Sequence, residues 1–541
     1  MSRLTVAACQ INTVVGDIEG NVDRVLVALS EAEVAGADIA VFPELTVSGY
    51  PPEDLVLKPR FVADCEAAVA RIATATGTCA ALIGSVVAGG QGELFNTAYL
   101  CVEGAVVHEY HKRLLPNYAV FDEQRYFTPG TEDVALVDLH GVRVGVAICE
   151  DIWSQDGPLA ELAAAGADIV LVPNGSPYRQ GKVDERESLL RSRASESGCA
   201  IAYVNQVGGQ DELVFDGGST FVDATGALVA RASQFVEEQL LCEFDFDAPT
   251  PVQHVSDRLD VLAEVWAALV LGTRDYVQKN GFDEVGVALS GGIDSSIVVA
   301  LAVDALGADR VHAVLMPSRF SSDHSVSDSE RLCQKLGVEY RTIAIEPAHA
   351  SLLDMLAPSF ADRDADTTEE NLQSRIRGVV MMALSNKLGW LILTTGNKSE
   401  VGVGYSTLYG DTAGGFAVIK DVFKTMVYDL CRWRNSQGDG EVIPSHVIDK
   451  PPSAELRPDQ RDDQSLPAYD VLDALLRDYV EEDLTASELI AAGHDEAVVQ
   501  RIVRLVDLAE YKRRQSPPGV RISTKAFGRD RRVPITNRYR G

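Results

Sequence analysis

Cys149 closes the apolar run of "GVAICEDIW" (145–153) and directly precedes Glu150 and Asp151. Two adjacent carboxylates disfavour a thiolate, so this thiol is a poor nucleophile unless groups remote in the chain activate it. Three such groups follow other apolar runs: Glu44 in "VFPEL", Lys112 in "YHKRLLPNYAVFDEQRYF", and Glu123 later in that same stretch. Each has an ordinary reading when taken singly: a buried cysteine, a solvated lysine, a loop carboxylate, a surface ion pair. A second set lies in "LSGGIDSS" (289–296). The Gly291–Gly292 pair lets backbone N–H groups close around a phosphate chain at a helix N-terminus, and Ser290, Ser295 and Ser296 add hydroxyl donors. Asp294 repels phosphate unless a divalent cation stands between them, so it reads as a Mg2+ ligand. The string is neither a Walker motif nor a G-x-G-x-x-G loop. The competing reading is a tight turn with Ser and Asp capping a helix.

The elements around these residues are short β-rich runs alternating with helical patterns. "LTVAACQ", "CAALIGSVV", "TAYLCV", "AVVHEY" and "VRVGVAIC" read as strands. "AGADIAVFPE" (35–44) recurs as "AGADIVLVPN" (165–174), each a helix end with Gly, a buried strand, then Pro and a polar residue. That echo predicts two similar halves of one domain, with Glu44 and Asn174 at equivalent strand ends. "FDAPTPVQHVSDRLD" (246–260) loses hydrophobic periodicity and reads as a linker. Beyond it, "EVGVALS", a helix from Asp294, "RVHAVLMP", a helix near 325–337, "YRTIAI" and "WLILTTG" predict a parallel sheet covered on both faces. "DRDADTTEE" (362–370) reads as an exposed loop before the helix "NLQSRIRGVVMMALSNKLG", and 450–467 as a second irregular segment.

Composition bounds the function. The 541 residues exceed one hydrophobic core, and 46% hydrophobic with 24% charged residues describe a globular chain. No apolar run reaches the roughly 20 residues of a membrane helix, and the start lacks a charged segment followed by an apolar one. The nine cysteines show no C-x-x-C spacing. A cytoplasmic protein with reduced thiols and no membrane partner is the expectation. A net charge of -32 argues against nucleic acid as a partner. From Lys512 onward the balance inverts, with ten Lys or Arg and one Asp. That tail is either a solvated basic run or a local site for a polyanionic small molecule.

The order of "VFPEL", "YHKRLLPNYAVFDEQRYF" and an intact "ICEDIW" resembles the nitrilase family. The resemblance implies an α-β-β-α sandwich over 1–246, with Glu44 as general base, Lys112 at the developing oxyanion, Cys149 as nucleophile and Glu123 in support. Thiolate attack on an amide, loss of ammonia and hydrolysis of the acyl group suit that division. Glu150 and Asp151 are then expected to turn away from the sulfur. "LSGGIDSS" resembles the pyrophosphatase-type ATP loop, which implies ATP contacts from Leu289, Ser290, Gly291, Gly292, Ile293, Asp294, Ser295 and Ser296. "NLQSRIRG", "TTGNKSEVGVGYSTLYGD", "KDVFKTMVYDL" and "YKRRQSPPGVRIS" resemble the NAD synthetase family, implying a doubly wound parallel-sheet domain over 261–541 after a linker at 247–260. On matching positions Asn371, Glu400 and Lys512 would contact deamido-NAD and Thr395 would contact ATP. Glu400 would join Asp294 at Mg2+, while Arg375, Asp421 and Lys424 lie in matching substrate-binding segments.

The whole chain resembles the glutamine-dependent members of that family, which implies glutamine contacts from Tyr118, Ser176 and Lys182. It also implies a homo-oligomer in which ammonia released from glutamine is channelled to a nicotinate adenylate, yielding NAD, AMP, pyrophosphate and glutamate. Other glutamine-fed ATP pyrophosphatases, making GMP or asparagine, are disfavoured by "TTGNKSE" and "YKRRQ". A non-catalytic scaffold is disfavoured by the intact Glu44, Lys112, Cys149 and Asp294.

Overall fold

The computed structural model describes residues 2–361, 363–438, 440–458 and 460–539, and the chain divides into two compact units, Met1–Asp260 and Val261–Gly541. The first unit stacks two six-stranded sheets. One runs in the order Glu238–Asp245, Arg3–Gln10, Ile39–Val41, Ala80–Ala88, Leu94–Val102, Ala105–His111. The other, read from its opposite edge, runs Val137–Leu139, Val142–Val146, Ile169–Asn174, Ala200–Asn205, Thr220–Val222, Leu228–Arg231. Side chains alternating inward from both sheets, such as Val6, Val41, Leu82, Val144, Leu171 and Phe221, form the core between them. Helices Ile18–Val34 and Pro59–Thr74 cover one outer face, while Pro158–Ala165 and Lys182–Ser197 cover the other.

The sequence echo has a backbone counterpart. Ile39–Val41 and Ile169–Asn174 each hold the third place in their sheet. At the start of each, an aspartate clamps the preceding parallel strand: Thr5 N–H donates to Asp38 Oδ2 at 2.7 Å and Arg143 N–H to Asp168 Oδ2 at 2.8 Å. The Asp38 and Asp168 amides return the bond to Thr5 O and Arg143 O, both at 2.9 Å. Each aspartate therefore fixes a parallel register as well as a turn.

The second unit holds a five-stranded sheet in the order Glu339–Thr342, Val311–Leu315, Val285–Ala288, Leu391–Thr394, Phe416–Ala417, all parallel. Sequence order reverses between Val285–Ala288 and Leu391–Thr394, so the carboxyl ends of these two strands open the crevice where such sheets bind ligands. Gly286 faces Met381 of helix Thr367–Leu388, and a Cβ there would come within 2.9 Å of Ile392. Val285 and Val287 alternate to the other side. Helix Ile293–Leu306 is buried nearly all round, packed on the sheet and against Val261–Lys279 and Lys424–Asn435. Tyr469–Leu476, Ala486–Ala491 and Glu496–Leu508 build a separate apolar cluster with Val403 and Phe527.

Two local expectations shift. The stretch 362–370 is not all loop: Asp366 caps helix Thr367–Leu388 by accepting from Thr368 N–H at 2.7 Å, and Glu369 closes the capping box. Asp362 lies outside the described residues. The basic tail is not simply a solvated run. Arg513 pairs with Glu510, Arg521 with Asp530 and Lys525 with Asp483, so much of its charge is spent inside the fold. All nine cysteines are free and buried, and among the described residues no helix is long and apolar enough to cross a membrane.

Candidate active sites

Glu44 follows strand Ile39–Val41 in a turn held by Thr46 Oγ1 donating to Pro43 O at 2.6 Å. Strand Ala80–Ala88 presses directly on that turn. A Cβ at Gly84 would lie 2.4 Å from Leu45 N and 2.6 Å from Pro43 O, so only glycine lets the turn close. The Glu44 carboxylate is buried and fully engaged: Oε1 accepts from Asn96 Nδ2 at 2.7 Å and Lys112 Nζ at 2.6 Å, and Oε2 accepts from Gly175 N–H at 2.9 Å. Gly175 directly follows Asn174, so the two echoed strand ends meet at this carboxylate.

Lys112 is fully buried and donates also to Glu123 Oε1 at 2.9 Å, which accepts from Tyr50 OH at 3.1 Å. Burial opposes its charge, but Glu123 and Glu44 override that and hold the ammonium well above its ordinary pKa. Glu123 carries the cost. Burial pushes it up to about 7 against the pull of Lys112, and its Oε2 is buried without a hydrogen-bond partner.

Cys149 sits not within a strand but at the head of a 3-10 turn, Cys149–Ile152, after strand Val142–Val146. Its φ of +45° is rare for a side-chain-bearing residue and marks a sharp, over-determined turn. Burial first, then Glu44, push the thiol well above its ordinary pKa, with Lys112 opposing. Asp151 does turn away from the sulfur. It accepts from Ile148 N–H at 3.0 Å, Leu114 N–H at 2.8 Å, Arg113 N–H at 3.2 Å and Tyr110 OH at 2.9 Å. One buried carboxylate thus ties the Cys149 turn to the segment carrying Lys112. Glu150 turns away only in part: it accepts from Tyr118 OH at 3.0 Å, and its charge still contributes to the upward push on the thiol. Tyr118 is largely exposed. Lys182 opens helix Lys182–Ser197 with its ammonium 3.8 Å from the Trp153 ring centre, and burial lowers it to about 8. Ser176 is buried, its N–H donating to Asn205 Oδ1 at 2.9 Å.

The second site is a cavity of about 680 Å3 at the reversal point of the parallel sheet. Gly291 has φ +79°, and a Cβ there would lie 2.3 Å from Ser325 O. Gly292 then caps helix Ile293–Leu306, with Ser295 and Ser296 Oγ donating back to its carbonyl at 3.0 and 2.9 Å. Asp294, Glu400 and Lys424 converge across three elements. Lys424 Nζ donates to Asp294 Oδ2 and, at 3.2 Å, to Glu400 Oε1. Asn397 binds both ends of the arrangement, Nδ2 to Asp294 Oδ1 and Oδ1 from Glu400 N–H, each at 3.0 Å. Burial lifts Glu400 to about 8 despite Lys424, and burial works against Lys424, whose carboxylate neighbours nonetheless raise it.

Leu289, Ser290, Gly292, Ile293, Asp294, Ser295, Asn371, Arg375, Thr395, Glu400, Lys424 and Lys512 all line this cavity. Asn371 Oδ1 accepts from Thr407 Oγ1 at 2.7 Å, Arg375 Nε donates to Leu408 O at 3.3 Å, and Lys512 Nζ donates to Gly404 O and Ser406 O at 2.7 and 2.8 Å. Gly291 and Ser296 lie behind the lining. Asp421 does not line it at all. Its carboxylate accepts from Ile522 N–H, Ser523 N–H and Lys398 Nζ at 2.8 Å each, so it anchors the tail segment rather than facing a ligand. Sequence reasoning missed Asn96, Tyr50, Asn397 and Arg377, all polar residues in or behind the two sites. Only Asn397 carried a signal, as an N-cap type just before "KSEVGV".

A crevice with a glycine-lined loop in one unit and a buried Glu–Lys–Cys set in the other define a carbon–nitrogen hydrolase joined to an NAD synthase, and those two family profiles match residues 5–251 and 265–516. A glutamine-dependent NAD(+) synthetase of Xanthomonas campestris pv. campestris is 50% identical, covering 99% of this chain and 98% of its own. One from Xylella fastidiosa (strain 9a5c) is 48% identical over 99% of both chains. The solved structure of a glutamine-dependent NAD+ synthetase from Acinetobacter baumannii with ADP is 43% identical, covers 99% of both chains and superposes with a TM-score of 0.81. The chain belongs to the glutamine-dependent NAD(+) synthetase family.

Proposed function

We propose that this protein makes NAD from deamido-NAD, using ATP and the amide nitrogen of glutamine. The observation that carries the reading is the presence in one chain of two candidate sites: Glu44–Lys112–Cys149 in one unit and the Asp294–Glu400–Lys424 cavity in the other. At the first site the Cys149 thiol, held neutral by burial, passes its proton to Glu44 as sulfur attacks the amide carbon of glutamine. Lys112 stabilises the oxygen that gains charge. Glu44 returns the proton to the departing ammonia, then draws one from the water that releases glutamate. Lys182, Tyr118 and Ser176 are the groups for the amino-acid end of glutamine.

At the second site a nicotinate carboxylate oxygen attacks the α-phosphorus of ATP, expelling pyrophosphate, and ammonia then attacks the adenylate carbonyl, expelling AMP. The 289–296 loop and Thr395 serve ATP, while Asn371, Arg375 and Lys512 serve deamido-NAD. Asp294 and Glu400 are hard oxygen donors suited to Mg2+, which when bound neutralises phosphate charge. Among the described residues no cluster of three or more protein ligands exists, so the fit requires phosphate and water oxygens to complete the shell. Lys424 pairs with both carboxylates and so lies at the edge of the same oxygen set.

Enclosed transfer of ammonia, a homo-oligomer and a cytoplasmic location belong to the same reading. Ammonium formed in bulk water has no lone pair with which to attack, which favours a protected path. Purified protein given ATP, Mg2+, deamido-NAD and glutamine should form NAD and glutamate together, and an ammonia-consuming enzyme in solution should not suppress the NAD. Absence of NAD refutes the activity; suppression refutes the enclosed path.

A further inference from the structure

Several fully buried cations in this protein meet a carboxylate. Lys112 meets Glu44 at 2.6 Å, Lys398 meets Glu481 at 2.6 Å, Arg186 meets Asp216 at 3.0 Å and Arg521 meets Asp530 at 2.7 Å. A charge withdrawn from water without a partner is costly, so such pairing is the rule. Arg377 is part-buried and differs from these. It lies on helix Thr367–Leu388 and lines the 680 Å3 cavity, yet among the described residues no carboxylate lies within ion-pair distance of it. Its side chain makes one hydrogen bond, Nε to Met316 O at 3.1 Å, leaving the other four N–H groups of the fork unused. Burial lowers this guanidinium to about 10, with Glu455 the charge that partly offsets the effect.

The position says which substrate would supply the missing anion. Met316 continues strand Val311–Leu315, whose Val314 O accepts from Leu289 N–H at 3.0 Å immediately before Ser290. Arg377 thus stands on the side of the 289–296 loop. Arg375 and Lys512 form a different cationic group: each bonds carbonyls of the 404–408 stretch, and Lys512 feels the charge of Arg375. We propose that Arg377 is a further ATP-binding residue, whose free guanidinium N–H groups take oxygens of the ATP phosphate chain while Arg375 and Lys512 serve the dinucleotide. This rests on the synthetase reading of the cavity. A planar fork matches two phosphate oxygens, which an ammonium cannot do.

The test is calorimetric binding of a non-hydrolysable ATP analogue and of deamido-NAD to the full chain and to Arg377→Met and Arg377→Lys. Loss of a charge-assisted phosphate contact should weaken the analogue by about tenfold to hundredfold in Arg377→Met, with a smaller loss in Arg377→Lys. Deamido-NAD affinity should stay within about twofold in both, which also shows that the cavity is folded. Unchanged analogue binding in Arg377→Met overturns the proposal, as does a selective loss of deamido-NAD. Equal loss of both ligands in Arg377→Lys also overturns it, because that marks a packing role. If the unaltered protein binds neither ligand, the synthetase reading itself falls, and this assignment with it.

Discussion

Lys112→Met removes the one cation between two buried carboxylates, and the structure sets the scale of the damage. At 2.6 and 2.9 Å from Glu44 and Glu123, and with an effective dielectric near ~20, each attraction is roughly 6 kcal/mol before solvation is counted. Most of that offsets the cost of burial, and removal of one partner from such a set leaves a net penalty of about 3–5 kcal/mol. The penalty has a pH signature. Burial raises Glu123, so its proton is retained more tightly in the folded state; that stabilisation is full below about pH 4.5 and is lost as pH rises through about 7. Without Lys112 Glu123 shifts further upward, so the variant's deficit relative to the parent should shrink as pH falls from about 8 to about 5.5. Adding Glu123→Gln should recover about half the deficit at pH 8, since one of two unpaired charges is gone. Hydrogen exchange of peptides spanning 39–50 and 105–125 reads this locally, and glutamine hydrolysis should fall by at least ~100-fold. Exchange that matches the parent at pH 8, or a deficit independent of pH, would refute the idea that Lys112 neutralises a buried pair.

Three further outcomes are expected. Gly84→Ala drives a Cβ into the backbone of residues 43–45, so glutamine hydrolysis should fall by about tenfold or more while ammonium-supported NAD synthesis holds, measured as separate rates. Glu400 is raised to about 8, so below that pH a proton competes with the cation: Mg2+ titration at about pH 7 in buffers of different ionisation enthalpy should show close to one proton released, falling toward none above about pH 9, and no release would contradict the site. Lys182 loses its proton near 8, so the KM for glutamine should climb above that pH with kcat little changed, and Lys182→Met should show the raised KM already at neutral pH.

Much of this was legible in one sequence, for identifiable reasons. Strands read as "LTVAACQ", "CAALIGSVV" and "VRVGVAIC" match Arg3–Gln10, Ala80–Ala88 and Val142–Val146, because apolar content and length mark them, while the strands between 200 and 245 went unread. The "AGADI" echo carried a true structural relation because Asp38 and Asp168 each perform the same backbone clamp. The 289–296 loop was legible as a turn because Gly291 needs a backbone state that only glycine adopts cheaply. What stayed hidden depends on contacts between distant segments. Nothing local in "ICEDIW" says that Asp151 reaches the amides of Arg113 and Leu114, or that Glu150 keeps its influence on the thiol. Asp421 stands three residues before Lys424 in a matching segment yet turns to the tail, since it lies in the turn ahead of helix Lys424–Asn435 and not on the helix. Nothing in "NLQSRIRG" marks Arg377 off from Arg375; their different surroundings depend on the fold.

The account's central claim is a division of labour between two sites in one chain, and Cys149→Ala tests it most directly. Parent and variant are supplied with ATP, Mg2+ and deamido-NAD, and NAD formation is followed with glutamine or with an ammonium salt as the nitrogen source. The account predicts that the variant loses NAD synthesis from glutamine and keeps the parent's rate with ammonium, because adenylation and amide formation draw only on the 261–541 unit. A folded variant that loses the ammonium-supported reaction, or one that still draws nitrogen from glutamine, would contradict it.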